Sequence, residues 1–240
     1  MKCSYSSVLR SFLCFALVAT AAWAEEVKVE NDTPAEGTAA NCNLTGYKSE
    51  ARTGLQVPVP DNNAAGVTLG PIQFAPDGRN IVDVVIDLQM THTWVGDLIV
   101  AVGYDVTCDN SVDVQSVLLC RPRGTGATTP APCGTGTGFG CSGDLTTASA
   151  LLFDDTGATP VAEGVCPTVI PAGCYRPSTV GGSPLSAFDN LRKDGCWYIN
   201  VSDRAAGDLG VILGWSVHIL NDVVVGVEEA SWSLTKTLYR

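Results

Sequence analysis

An all-β fold, a jelly-roll β-sandwich with disulfide-stapled loops, is what this sequence predicts. Short runs rich in apolar and β-branched residues are set off by Gly, Pro and Asn-Asp clusters. Across the body no run of about ten residues carries helical periodicity. Val82, Val84, Ile86, Leu88 and Met90 share one face of a segment whose other face holds Asp83, Asp87 and Gln89, the pattern of a half-buried strand. Helical bundles and α/β folds are excluded.

The elements follow in order. Residues 1–24 read as a secretory signal: Lys2 and Arg10, an apolar run from Phe12 to Ala22, and a small-x-small site at Ala22-Trp23-Ala24. The run is shorter than the roughly 20 residues a bilayer span needs. Bulky Leu13 before Cys14 argues against lipid attachment. Residues 25–41, acidic and without apolar periodicity, are expected to be a flexible leader. One domain, 42–222, then holds strands at Leu55–Val59, Val67–Phe74, Ile81–Met90, Asp97–Val106, Val112–Leu119, Ala150–Phe153, Trp197–Val201 and Ile212–Leu220. Between them, Arg121 to Thr147 is rich in Gly, Thr and Pro and predicts a long stapled loop. Residues 223–240 read as a linker and a short helical tail with Leu234 and Leu238 one turn apart, expected to pack Trp232 on the sandwich, with sorting or docking as the alternative.

Composition narrows the function. The formal charge is −11, and loss of Lys2 and Arg10 with the signal takes it to −13. That sign repels phosphate backbones and anionic membranes, so no nucleic acid is expected as a partner. Of ten cysteines, Cys3 and Cys14 leave with the signal. Cys42, Cys108, Cys120, Cys133, Cys141, Cys166, Cys174 and Cys196 remain, an even set that predicts disulfides in an exported chain. Eight cysteines allow roughly a hundred pairings, which spacing cannot choose among. Zinc is disfavoured, because no Cys-x-x-Cys occurs and only His92 and His218 are present. The protein is expected in the periplasm, at the cell surface or outside the cell.

Candidate chemistry is sparse. A nucleophilic hydrolase needs a base, and neither histidine stands in a nucleophile motif. His218 falls opposite Trp215, Val217 and Ile219 on its strand and is expected to be solvated. Gly134 to Gly140 lacks the Lys of a phosphate loop. Asp97, Asp154, Asp155, Asp203 and Asp208 sit at predicted strand ends, where carboxylates can enclose calcium, an ion preferring six to eight oxygens. Trp94, Trp197 and Trp215 offer flat faces for a glycan, the alternative reading to a protein partner.

In sequence order come His92-Thr93-Trp94-Val95-Gly96-Asp97-Leu98, Phe153-Asp154-Asp155, Pro184 to Asp189, Gly195-Cys196-Trp197 through Asp203, Gly207-Asp208-Leu209-Gly210, and Gly214-Trp215-Ser216-Val217. From Val57 to Leu220 the chain resembles a P domain, or Homo B domain, the module found beside the catalytic domain of subtilisin-like proprotein convertases and of secreted bacterial proteases. The family residues would be His92, Trp94, Gly96, Asp97, Trp197, Asp203, Gly210 and Trp215. The resemblance implies a galactose-binding-domain-like jelly roll with Trp197 and Trp215 facing the core. It also implies a bridge between Cys141 and Cys166, and a role in stabilising a serine endopeptidase and helping it engage substrates. Cys196 departs from the small residue usual there, and the loops at Cys108-Asp109-Asn110 and Arg121–Thr147 are enlarged. No catalytic triad accompanies the module, so the expectation is a stand-alone, non-catalytic accessory whose partner is a secreted protease or another secreted protein.

Overall fold

Strand alternation sets two layers. The computed structural model describes residues 42–122, 140–162, 165–178 and 184–222. The expected signal, leader and tail, Cys133 and most of the Gly-rich loop lie outside the described residues. In chain order the strands are β1 (Lys48–Arg52), β2 (Val57–Val59), β3 (Asn63–Gln73), β4 (Ile81–His92), β5 (Leu98–Asp105), β6 (Val114–Cys120), β7 (Leu151–Phe153), β8 (Gly173–Tyr175), β9 (Cys196–Asp203) and β10 (Gly210–Asn221). One sheet runs β1-β10-β4-β7-β8, with β2 also on β10; the other runs β3-β9-β5-β6. The chain crosses between sheets at β2–β3, β3–β4, β4–β5, β6–β7, β8–β9 and β9–β10. These crossings close the sandwich around one core.

The core takes one side chain in two from each layer. Val84, Ile86, Leu88 and Met90 of β4 face Val100, Val102 and Tyr104 of β5, with Trp197, Ile199, Val201, Trp215, Val217 and Ile219 completing the interior. Tyr104, Phe188 and Trp197 stack in tilted and edge-on pairs with centroids 4.4 to 6.3 Å apart. The predicted face of β4 holds from Val84 onward, but Val82 is 47 % exposed. An irregularity where β10 pairs with β4, between Leu220 and Asn221, shifts the alternation there and puts Ile81 inside in its place.

Three disulfides join described residues: Cys42 to Cys174, Cys108 to Cys196, and Cys141 to Cys166. Cys120 is disulfide-bonded as well. Such bonds persist in oxidising compartments. Cys196 ties the start of β9 to the turn after β5 through Cys108. That turn is shaped by Asp105, whose carboxylate accepts from the Thr107 and Asn110 amides at 3.1 and 2.7 Å. No described helix is long and apolar enough to cross a membrane.

Candidate functional site

The motif residues converge at the end of the sandwich where β4 stops. His92 closes β4, the 3-10 turn Val95–Asp97 leads into β5, and β9 ends at Asp203 across from Leu98. His92 Nδ1 lies 3.1 Å from the Trp94 amide nitrogen and 3.0 Å from the Trp94 carbonyl oxygen. Nε2 lies 3.3 Å from Asp203 Oδ2, and both side chains are fully buried. Asp203 Oδ1 accepts from the Ala205 amide at 3.0 Å and so starts the turn toward Asp208. Asp208 accepts from Thr93 Oγ1 at 2.7 Å. Gly210 is required because any Cβ there would overlap the His92 ring and the Thr91 carbonyl.

Gly96 has the same duty toward the enlarged loop. Its amide donates to the Cys141 carbonyl at 2.9 Å, and the Cys141 amide donates to the Pro122 carbonyl at 2.6 Å. Arg121 Nε donates to the Gly96 carbonyl at 3.2 Å. Both feet of the loop, residues 122 and 140–141, therefore stand on the Val95–Asp97 turn. Asp97 lies beneath, 2 % exposed, with Oδ1 hydrogen-bonded to nothing and Arg121 Nη2 at 3.8 Å. Burial, then the charge of Asp203, push its carboxyl up to about 6, with Arg121 pulling the other way.

The five carboxylates expected to gather around calcium do not gather. Asp97, Asp203 and Asp208 lie at the His92 end of β4, whereas Asp154 and Asp155 follow β7, whose Phe153 pairs with Ile86 toward the other end. Asp154 Oδ1 accepts from the Thr156 amide and hydroxyl at 2.7 and 2.8 Å. Asp155 spends both oxygens on the Leu185 and Ser186 amides, at 2.9 and 2.8 Å. Turn and cap bonding accounts for these residues. Among the described residues the one grouping compact enough for a metal is Cys42, Asp154 and Cys174, and its two sulfurs are already joined to each other.

His218 is not solvated, contrary to expectation. It points away from the core as the alternation requires, but β1, unmarked in the sequence by any strong alternation, pairs beside it and brings Ser49 Oγ to 2.7 Å from Nδ1. Nε2 is buried without a hydrogen-bond partner, and burial pushes the imidazole down to about 4. Ser49 has no signal in the sequence, since 169 residues separate it from His218. Trp197 and Trp215 are 0 % and 1 % exposed, so neither ring offers a face to a sugar; Trp94 is half-buried.

No protein-family profile matches this chain, and neither does any curated protein. Among solved structures it is similar to the serine protease of Aeromonas sobria, at 10 % identity and a TM-score of 0.35. It is also similar to a chain in the complex of that protease with the chaperone ORF2, at 10 % identity and a TM-score of 0.34. In both cases the match covers 71 % of this chain and 26 % of the other. The present chain thus corresponds to about a quarter of those chains, and likeness at that level carries no argument about activity or partner.

Proposed function

We propose that this chain is a non-catalytic, exported P-domain-like protein that binds another secreted protein, a subtilisin-like serine protease being the partner the motif resemblance implies. The observation that supports this most is how His92 is used. The histidine that heads the family motif is buried, bonded to Asp203 and Trp94, and spent on holding loops at one end of the sandwich. It is a structural residue out of reach of any substrate. The hub also holds residues 122 and 140–141, between which the Gly-rich insertion runs in the sequence, and individual partner recognition resides in such insertions.

A hydrolase is the competing reading, favoured by the 2.7 Å approach of Ser49 Oγ to His218. A working triad also needs a group that orients the imidazole from its other nitrogen, and His218 Nε2 has no hydrogen-bond partner. The two readings separate in one assay. The purified mature chain is incubated with protein and ester substrates alongside Ser49→Ala. Background-level turnover by both supports the binding role, and turnover that Ser49→Ala abolishes overturns it.

A further inference from the structure

The outward face of the β1-β10-β4-β7-β8 sheet is crossed by the segment that enters the domain. Cys42 is bonded to Cys174 of β8, at one edge of the sheet, and Lys48 opens β1, at the other. Between them the chain passes over β7, β4 and β10. Tyr47 donates its hydroxyl to Asp83 of β4, and Gly46 lies over β10, where a Cβ would meet Leu220 Cδ1 at 3.7 Å. Asp83, Leu220 and Cys174 all point outward, because Val84, Ile219, Leu151 and Phe153, which alternate with them or with their paired residues, belong to the core. Residues 42–47 are therefore a strap laid diagonally across three strands.

The strap hides apolar surface but grips it lightly. Val85 of β4 and Leu152 of β7 face outward beneath its path, yet they are 0 % and 5 % exposed. Two of its hydrogen bonds are local, from the Tyr47 amide to the Leu44 carbonyl and from the Thr45 amide to Asn43 Oδ1, both at 3.1 Å. Among the described residues the Tyr47–Asp83 bond is the one hydrogen bond that ties it to the sheet. The Cys42–Cys174 bridge supplies the covalent hold. Both of its residues are half-buried, whereas Cys141 and Cys196, in the other described bridges, are 1 % and 4 % exposed. A reductant can thus approach the strap's bridge from either sulfur.

We infer that Cys42–Cys174 is a reducible latch: a dithiol opens it, frees residues 42–47 and bares Val85 and Leu152 while the sandwich stays closed. The exchange balances. One thiolate of the dithiol attacks either cysteine sulfur, and the partner cysteine leaves as a thiolate and takes up a proton. The second thiol of the reductant then resolves the mixed disulfide, so that both cysteines end as thiols and the dithiol ends as its own disulfide. The sandwich does not hang on the latch, because the paired strands β10-β4-β7 and β3-β9-β5-β6 and the Cys108–Cys196 bridge all lie outside the strap. A segment held by so few contacts opens locally before the core does.

Titration of the mature protein with dithiothreitol at neutral pH tests the latch. Freed thiols are trapped with iodoacetamide and located by peptide mass mapping, while near-UV circular dichroism follows the packing of Trp197 and Trp215. The latch predicts that Cys42 and Cys174 are alkylated before Cys108, Cys141, Cys166 and Cys196, with the near-UV signal retained. Chymotrypsin then cleaves after Leu44 and Tyr47 about tenfold faster or more. Release of Cys42 and Cys174 only together with the other bridges, or in step with loss of the near-UV signal, overturns it. The Cys42→Ser/Cys174→Ser variant supplies the open strap without reductant, and cleavage of that variant at the oxidised wild-type rate also overturns the latch. Should the variant not fold, the order of release in wild type decides alone.

Discussion

Replacing Gly96 by alanine tests whether the Val95–Asp97 turn anchors the chain at residues 122 and 140–141. A Cβ at residue 96 would sit 2.5 Å from the Cys141 amide nitrogen and 2.7 Å from the Gly140 Cα, both backbone atoms that no side-chain rotation can move aside. The turn and the loop foot must separate. Separation endangers the Gly96-to-Cys141, Cys141-to-Pro122 and Arg121-to-Gly96 hydrogen bonds. At about 1 kcal/mol each these amount to about 3 kcal/mol. Alanine restricts the unfolded chain and returns roughly 0.4–1 kcal/mol, leaving a net loss of about 2 kcal/mol. For a domain of this size that corresponds to a fall in Tm of roughly 4–8 °C. Differential scanning calorimetry measures it directly, and limited proteolysis between residues 122 and 141 should accelerate in parallel. An unchanged or higher Tm would refute the reasoning, because alanine would then show only its unfolded-state benefit.

Asp97→Asn is expected to stabilise the domain by about 2 kcal/mol at pH 7.5. Its carboxyl is raised to about 6, so the cost of the charge is present above that pH, fades as pH falls toward 3.8, and leaves variant and wild type alike at pH 4. Urea melts at both pH values check the sign, and destabilisation at pH 7.5 would show that the charge is needed to hold Arg121. Among the bridges, loss of Cys42–Cys174, which closes 132 residues, should cost more than loss of Cys141–Cys166, which closes 25. The chain-entropy relation gives about 5 against about 3.5 kcal/mol, to be compared by paired Cys→Ser variants in the same melt. Asp155→Ala should cost about 1–2 kcal/mol by stripping the Leu185 and Ser186 amides of their acceptor, whereas Asp155→Asn, keeping one acceptor oxygen, should cost less.

The layers of this fold are legible in its alternation. Residues 84 to 90 and 215 to 219 announce which side is core, and the Gly and Asn-Asp clusters announce where strands stop. Two strands escape that reading. β1 is an edge strand, Lys-Ser-Glu-Ala-Arg, held by backbone pairing to β10, and β8 is three residues long; neither buries enough apolar surface to leave a pattern. The candidate site is legible in part. His92, Gly96, Asp97, Asp203 and Gly210 can be picked out as a motif, but the duty of each glycine depends on contact with Gly140, Cys141 or His92, residues remote in sequence or packed through tertiary geometry. The carboxylates are ambiguous for a related reason. An Asp at a strand end satisfies amides or encloses a cation with the same sequence signature, and the amide partners at Thr156, Leu185 and Ala205 show only in the fold. Ser49 and His218 meet through the β1-β10 register, which no local pattern encodes.

The binding role faces its most direct test in capture from the organism's own secretome. The mature chain, immobilised at neutral pH with its disulfides intact, is exposed to secreted proteins and washed, and the retained species are identified and then titrated back against the free chain. The proposed function predicts saturable retention of a protein, a serine protease foremost, that weakens when residues 123–139 are replaced by a short linker. Retention of polysaccharide alone, or of no protein in saturable amount, would contradict it.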